Sequence, residues 1–181
     1  GYLGYDAVRY IEHLPRPPRD DTGIPDFTFG LYESVLIFDH VKHTITVFGR
    51  GPNRAVAERS VEEIVRRLAR PSPPPVALPP RPVTPSFSAN MTRARFLANV
   101  RRAKRHIKVG DIIQVVLSQR FAHPYPGDPF LIYRAMRGLN PSPYMFFVEA
   151  GGVTLAGSSP EMLVKVEHDA VETRPIAGTR P

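Results

Sequence analysis

Proline is concentrated in one stretch of the sequence, and this stretch limits what the chain can fold into. Eight of the 15 residues from 71 to 85 are Pro. Proline lacks an amide donor and has a fixed φ, so a dense run of it favours extended polyproline geometry over helix or sheet. Because periodic segments flank the stretch on both sides, we interpret residues 71–86 as a linker. The sequence therefore predicts an N-terminal lobe over residues 1–70 and a second domain over residues 87–181.

The N-terminal lobe has the pattern of two helices and two strands. A Leu-Pro pair ends the first helix, and apolar residues at helical spacing define the second. The turn between the strands contains Asp39, His40 and His43. These residue types bind metals, but three polar residues at a hairpin tip are more often simply solvated. The predicted bounds are 6–13 and 57–70 for the helices, and 27–38 and 44–48 for the strands.

The second domain mixes helices, one long strand and hairpins. Asp128-Pro129 supplies an N-cap and a first-turn Pro for a helix. Alternation along the long strand predicts a core face of Ile113, Val115, Leu117 and Phe121, with Gln114 on the opposite face. The predicted helices are 96–107 and 129–139, and the predicted strands are 112–121, 144–148, 153–157, 161–166 and 170–172. Together the two parts predict an α+β fold with mixed sheets covered by helices.

Composition excludes several classes of protein. The chain has no Cys, so it can form neither disulfides nor thiolate metal sites, which fits the cytoplasm. No stretch approaches the ~20 apolar residues that a membrane span needs. The net charge is +7, but the basic residues are spread along the sequence without interleaved aromatics. We therefore expect no nucleic-acid partner and no membrane.

The two ends suggest an internal fragment. The chain begins at Gly1 rather than Met and stops at Arg180-Pro181, directly after a motif-like run. We expect it to be part of a longer protein, with an incomplete fold and no activity of its own.

Four segments, taken together, carry a specific resemblance. They are Gly110-Asp111-Ile112-Ile113-Gln114-Val115-Val116-Leu117-Ser118-Gln119, Asn140-Pro141-Ser142-Pro143-Tyr144-Met145-Phe146-Phe147, Gly157-Ser158-Ser159-Pro160-Glu161 and Thr173-Arg174-Pro175-Ile176-Ala177-Gly178-Thr179-Arg180. In order and spacing they resemble the chorismate-binding enzymes over essentially the whole chain. The opening Gly1-Tyr2-Leu3-Gly4-Tyr5-Asp6 and the turn Phe38-Asp39-His40 resemble the anthranilate synthase branch.

Glu161 is the catalytic residue that the resemblance implies. In the family, the Glu of the Ser-Pro-Glu motif is the general acid that protonates the departing C4 hydroxyl of chorismate. Proton transfer from a positioned acid typically accelerates such a step by ~10²–10⁴-fold. Without the surrounding motifs, an exposed Glu after a turn would be the more ordinary interpretation.

Gln114 and Ala177 indicate the branch of the family. In aminodeoxychorismate synthases a Lys at the Ala177 position attacks C2, and in isochorismate and salicylate synthases a Lys at the Gln114 position activates water. A methyl group cannot form a covalent intermediate, and an amide takes up no proton near neutral pH. The resemblance therefore implies direct attack by ammonia at C2. Gly178 and Thr179 would offer an amide and a hydroxyl to a substrate carboxylate.

The loop from Asn140 to Met145 has a different implied role. In the anthranilate synthases the run Asn140, Pro141, Ser142, Pro143, Tyr144, Met145 lines a regulatory pocket for tryptophan. Two prolines stiffen this loop and would pre-organise it for a ligand. A rigid helix-to-strand connection is an equally good interpretation of the same residues.

The resemblance also implies parts that lie outside this chain. The family's Mg²⁺ ligands and catalytic His fall downstream of Pro181, so no metal ligand is assigned here. A separate glutamine amidotransferase subunit supplies the ammonia in the family. The expected reaction is conversion of chorismate and ammonia to anthranilate and pyruvate. The alternatives are aminodeoxychorismate synthesis, which Ala177 disfavours, and a non-catalytic module that binds tryptophan.

Overall fold

The computed structural model describes residues 1–71 and 86–176, and these form two compact units. The first contains residues 1–71 together with 148–154, and the second contains residues 86–147 and 155–176. The predicted linker lies almost wholly outside the described residues, so the domain boundaries stay predictions. The described chain combines helices with small two-stranded sheets, which confirms the α+β class.

The first unit consists of two antiparallel strand pairs and a helix. Strand β1 pairs with β2, and β3 pairs with β4 in a register that sets Ser34 opposite Gly49. The elements are β1 (Tyr2–Leu3), a 3-10 helix (Tyr5–Tyr10), β2 (Phe27–Thr28), β3 (Ser34–Asp39), β4 (Thr44–Gly49) and α1 (Arg54–Leu68). The predicted strand 27–38 is therefore two short strands with different partners, and the predicted helix 6–13 is a 3-10 helix that ends three residues earlier.

Helix α1 packs closely on β4. It begins at the N-cap Asn53, whose side chain accepts a hydrogen bond from the Val56 amide at 3.0 Å. A Cβ on Gly49 would lie 2.8 Å from the Ala57 carbonyl oxygen and equally close to the Val61 side chain. Only glycine permits this approach of the strand to the helix.

The turn between β3 and β4 uses its aspartate for its own backbone. The Asp39 carboxylate accepts hydrogen bonds from the amides of Val41 and Lys42 at 3.0 and 2.9 Å. His43 adopts a φ of 52°, in the left-handed region. This arrangement is the ordinary polar turn, and Asp39, His40 and His43 form no metal-binding group in the described chain.

The second unit contains two helices and the remaining strands, with part of one hairpin grouped with the first unit. Strand β7 pairs with β8 across Gly151 and Gly152, whose positive φ values of 59° and 77° suit a tight turn. The elements are β5 (Ser88–Ala89), α2 (Arg93–Lys108), β6 (Phe121–Ala122), α3 (Pro129–Leu139), β7 (Tyr144–Ala150), β8 (Val153–Ser159), β9 (Met162–Glu167) and β10 (Ala170–Arg174).

The predicted long strand over residues 112–121 is wrong. Residues 111–120 have no strand pairing, and only Phe121–Ala122 joins β5. The expected core face is wrong as well, since Ile113 is 97% exposed and Phe121 is 61% exposed. A strand needs a hydrogen-bonding neighbour, and alternation in sequence does not supply one. Among the described residues, Asn90 exchanges hydrogen bonds with the Arg120 backbone, but a strand ladder forms only at Phe121 and Ala122.

Helix α3 is fixed to β7 by aromatic contacts. Asp128 caps the helix by accepting a hydrogen bond from the Phe130 amide at 2.8 Å, as its position before Pro129 predicts. The Phe130 and Phe147 rings meet edge to face with centroids 5.1 Å apart, and Tyr133 lies 5.7 Å from both. Such aromatic packing positions the start of the β7–β8 hairpin.

Candidate active site

Glu161 lies in the short connection between β8 and β9. The Ser159 hydroxyl accepts a hydrogen bond from the Glu161 amide at 3.3 Å and donates to the Glu161 carbonyl at 3.1 Å. With Pro160 between them, these two bonds fix the backbone on both sides of Glu161. The glutamate side chain is thereby presented from a constrained turn rather than from a strand.

The backbone of Ile176 brings two of the predicted site residues together. The Ile176 amide donates to Glu161 Oε1 at 3.0 Å, and the Gln114 side-chain amide donates to the Ile176 carbonyl at 3.5 Å. Residues from three separate segments therefore meet at one residue, Ile176. The next residue along the chain is Ala177. Ala177, Gly178 and Thr179 lie outside the described residues, so their predicted roles stay predictions.

An open cleft of about 640 Å³ lies beside Glu161. Tyr144 at the start of β7 lines it, and so do Lys165 on β9 and Arg174 on β10. Lys165 is paired with Glu167 at 2.8 Å, and Arg174 with Glu172 at 2.5 Å. The cleft is therefore lined by two carboxyl groups, those of Glu161 and Glu172, and by two cations that each already pair with a carboxylate. Glu161 also lines a second groove of about 340 Å³, together with Ser159, Thr173 and Pro175 among others.

A hydrogen bond connects the loop of residues 140–145 to the motif that carries Glu161. The Ser158 hydroxyl donates to the Asn140 carbonyl at 2.6 Å. Asn140 also ends α3, where its amide donates to the Met136 carbonyl at 2.9 Å. The loop predicted to bind tryptophan is thus joined to the predicted catalytic turn, and its Tyr144 lines the cleft beside Glu161.

Three features of this site were missed by the sequence reasoning. The Ser158–Asn140 bond joins residues 18 apart, and no local pattern indicates it. Lys165 and Arg174 lie on the two paired strands β9 and β10, and only that pairing brings them to one cleft. Arg174 belongs to one of the four motifs, so its charge is the one signal that the sequence offers for these features.

The described residues contain no group that fits a metal ion. No cluster of three or more His, Asp or Glu side chains occurs in residues 1–71 and 86–176. We therefore assign no Mg²⁺ ligand here. No helix in these same ranges is both long and apolar enough to cross a membrane.

Comparison with known proteins places this arrangement in a family. The family model described as chorismate binding enzyme matches residues 1–181, the whole chain. The chain belongs to the chorismate-binding enzymes.

Curated relatives within the family carry a more specific name. The chain is 43% identical to anthranilate synthase component 1 of Thermus thermophilus, covering 100% of this chain and 39% of the relative. It is 40% identical to the chloroplastic anthranilate synthase alpha subunit 1 of Arabidopsis thaliana, covering 99% of this chain and 33% of that protein. The chain thus spans between a third and two fifths of these relatives.

A solved structure has the same fold. The crystal structure of anthranilate synthase component I from Streptococcus pneumoniae superposes with a TM-score of 0.81 at 34% identity, covering 94% of this chain and 40% of that chain. This likeness confirms the expectation of a partial anthranilate-synthase-like α+β fold.

Proposed function

We propose that the full-length protein is an anthranilate synthase large subunit, which converts chorismate and ammonia to anthranilate and pyruvate. The observation that carries the proposal is the convergence of Glu161 and Gln114 on Ile176, directly before Ala177. The relatives named anthranilate synthase component 1 support the same reaction.

Glu161 is proposed as the general acid. Its Oε1 is held by the Ile176 amide, and within the described chain Oε2 has no hydrogen-bond partner. A protonated carboxyl group in this position can deliver its proton from Oε2 to the C4 hydroxyl of chorismate, which then leaves as water. Ammonia adds at C2 as the double bonds shift, and one of its protons is released. Loss of the enolpyruvyl side chain as pyruvate and of the C2 proton then gives the aromatic product.

Gln114 and Ala177 support ammonia as the nucleophile. Gln114 donates through its amide to a backbone carbonyl and has no basic atom with which to activate water. Ala177 has no amine with which to form a covalent adduct. The site therefore favours an external amine nucleophile, and a glutamine amidotransferase subunit is its proposed source. The present chain contains no Cys that could hydrolyse glutamine.

Three further properties belong to the proposal. Lyase activity would require Mg²⁺, which supplies Lewis-acid stabilisation of substrate oxygens and would be bound by residues outside this chain. Tryptophan would inhibit through the loop of residues 140–145, and the Ser158–Asn140 hydrogen bond gives that loop a direct contact with the catalytic turn. The proposed location is the cytoplasm.

The test uses the full-length protein with chorismate, Mg²⁺ and saturating ammonium, with anthranilate followed by its fluorescence. Glu161→Gln keeps the size of the side chain and removes its acid, so kcat should fall by about 10²–10⁴-fold. The matched control is Glu149→Gln, because Glu149 is also exposed and lies on the neighbouring strand β7. That variant should keep kcat within about twofold, as expected for a substitution that removes no proton donor from the site.

Three outcomes would contradict the proposal. If the kcat of Glu161→Gln falls by less than about tenfold, Glu161 is not the general acid. Aminodeoxychorismate or isochorismate in the mass spectrum of the product would show that Ala177 or Gln114 was misinterpreted. A folded protein without any turnover would favour the non-catalytic module.

A further inference from the structure

Two adjacent serines at the end of β8 form hydrogen bonds with different parts of the second unit. Ser158 donates to the Asn140 carbonyl, whereas the Ser159 hydroxyl bonds to the backbone of Glu161. Successive side chains of a strand point to opposite faces, so neighbouring serines can contact two different segments. Of the two hydroxyls, that of Ser159 is the one that contacts the residue of the proposed general acid.

The backbone of Glu161 lies between two hairpins and belongs to neither strand ladder. Strand β8 ends at Ser159, and the ladder of β9 with β10 begins at the pair of Met162 and Arg174. The amide and carbonyl of Glu161 therefore need partners from outside a ladder. The Ser159 hydroxyl serves both groups, since it accepts from the amide at 3.3 Å and donates to the carbonyl at 3.1 Å.

The order Ser159-Pro160-Glu161 explains why this hydroxyl bonds to Glu161. Proline has no amide N–H and a fixed φ, so Glu161 carries the first amide donor after Ser159. Serine and threonine hydroxyls commonly bond to the backbone two residues further along. A hydroxyl both donates and accepts, so threonine can replace Ser159 in these two bonds and alanine cannot.

The carboxylate of Glu161 is held from the opposite direction. The Ile176 amide donates to Oε1 at 3.0 Å, and Ile176 lies 15 residues further along the chain, beyond β10. Glu161 is exposed, so packing alone does not fix its side chain. With the backbone held by Ser159 and Oε1 held by Ile176, few positions remain for Oε2, the oxygen that would deliver the proton.

We propose that Ser159 is the positioning residue of the general acid. This role rests on the proposed function, in which Glu161 protonates the departing C4 hydroxyl. Ser159 acts through Glu161 and not on the reacting atoms, because its hydroxyl is engaged with the backbone. A displacement of a reacting group by ~1 Å can lower the rate by ~10²-fold, so the backbone from which Glu161 extends affects the proton transfer.

The first test compares kinetic constants of the full-length protein with Mg²⁺ and saturating ammonium. Ser159→Ala should lower kcat by about 10- to 100-fold and leave KM for chorismate within about twofold. Ser159→Thr keeps the hydroxyl and should hold kcat within about threefold of the unmodified value. The matched control is Ser88→Ala, which removes a hydroxyl that donates to the Ala122 carbonyl at 3.3 Å in another strand pair, and kcat should stay within about twofold.

A double-mutant cycle distinguishes positioning from a merely structural role. If Ser159 acts through Glu161, then Ser159→Ala should change kcat by less than about twofold once Glu161→Gln has removed the acid. An equal fall of kcat in both backgrounds would show that Ser159 acts independently of Glu161 and would overturn the proposal. Failure of Ser159→Thr to retain kcat, in a variant as stable as Ser88→Ala, would also contradict it.

Hydrogen exchange provides a readout that does not depend on the reaction. In the full-length protein, Ser159→Ala should accelerate amide exchange at Glu161 and, through the bond to Oε1, at Ile176, whereas Ser88→Ala should alter neither. Unchanged exchange at Ile176 would overturn the positioning of the carboxylate, whatever the kinetics. Faster exchange at both amides, in a protein whose unmodified form makes no anthranilate, would support the hydrogen-bonded arrangement and overturn the proposed function instead.

Discussion

Gly157 is a position where a single added methyl group should disturb the strand that leads into the proposed catalytic turn. It lies on β8, four residues before Glu161, and faces Phe146 of the paired strand β7. A Cβ at this position would lie 2.8 Å from Cε2 of the Phe146 ring and closer still to two other ring atoms. Gly157→Ala therefore forces the ring, the strand or both to move.

The loss in free energy of unfolding depends on how far the Phe146 ring can move away from the added methyl group. Phe146 is 44% exposed, so the ring can turn outward, but more than half of its surface is covered. A small rotation away from its preferred rotamer costs ~0.5–1.5 kcal/mol. Complete loss of the covered area, roughly 110 Å² at ~25 cal/mol per Å², sets an upper bound of about 3 kcal/mol. We expect Gly157→Ala to reduce the free energy of unfolding by about 1–3 kcal/mol, within the usual range for overpacking.

The assay is a double-mutant cycle followed by urea unfolding of the full-length protein. In a Phe146→Ala background the obstructing ring is absent, and Gly157→Ala should be neutral or slightly stabilising because alanine restricts the unfolded chain. The coupling energy between the two positions should then be about 1–3 kcal/mol. If Gly157→Ala lowers the free energy of unfolding by the same amount in both backgrounds, within ~0.3–0.5 kcal/mol, the clash with the Phe146 ring is not its cause.

Two other predictions concern hydrogen bonds of single side chains. Ser158→Ala removes the donor to the Asn140 carbonyl. If the proposed inhibition by tryptophan acts through this loop, loss of a bond of ~1 kcal/mol should raise the tryptophan concentration for half-inhibition about fivefold. Inhibition curves identical to those of the unmodified protein would show that the loop and the proposed catalytic turn are not coupled. The Tyr10 hydroxyl donates to Asp26 at 3.0 Å, and this bond raises the pKa of Tyr10 above its ordinary value of 10.0. The stabilisation is therefore fully present below that ordinary value and is lost as pH rises through the folded-state pKa. In an absorbance titration Tyr10→Phe should remove a component that titrates later than an ordinary tyrosine, and its persistence in the variant would assign it to another residue.

Local sequence patterns are sufficient to predict the three α-helices and the hairpin of β7 and β8. The apolar spacing of α1, α2 and α3 and the capping residue Asp128 act within a few residues of each other, so the sequence contains all the interactions that define these elements. The same holds for the turn at Gly151 and Gly152, because glycine adopts the positive φ values of this turn without steric cost. The four motifs likewise indicate the family from the sequence alone.

Tertiary structure alone decides which strands pair and which distant residues meet at the candidate site. Residues 112–121 have the alternation of a strand and yet join a strand ladder only at Phe121, because strand pairing is a contact between segments far apart in the chain. Gln114 and Ile176 are 62 residues apart, and Ser158 reaches Asn140 through the packing of a hairpin on a helix. Sequence determined which groups are present and which local elements they form, whereas the distances between those groups depend on how the elements pack.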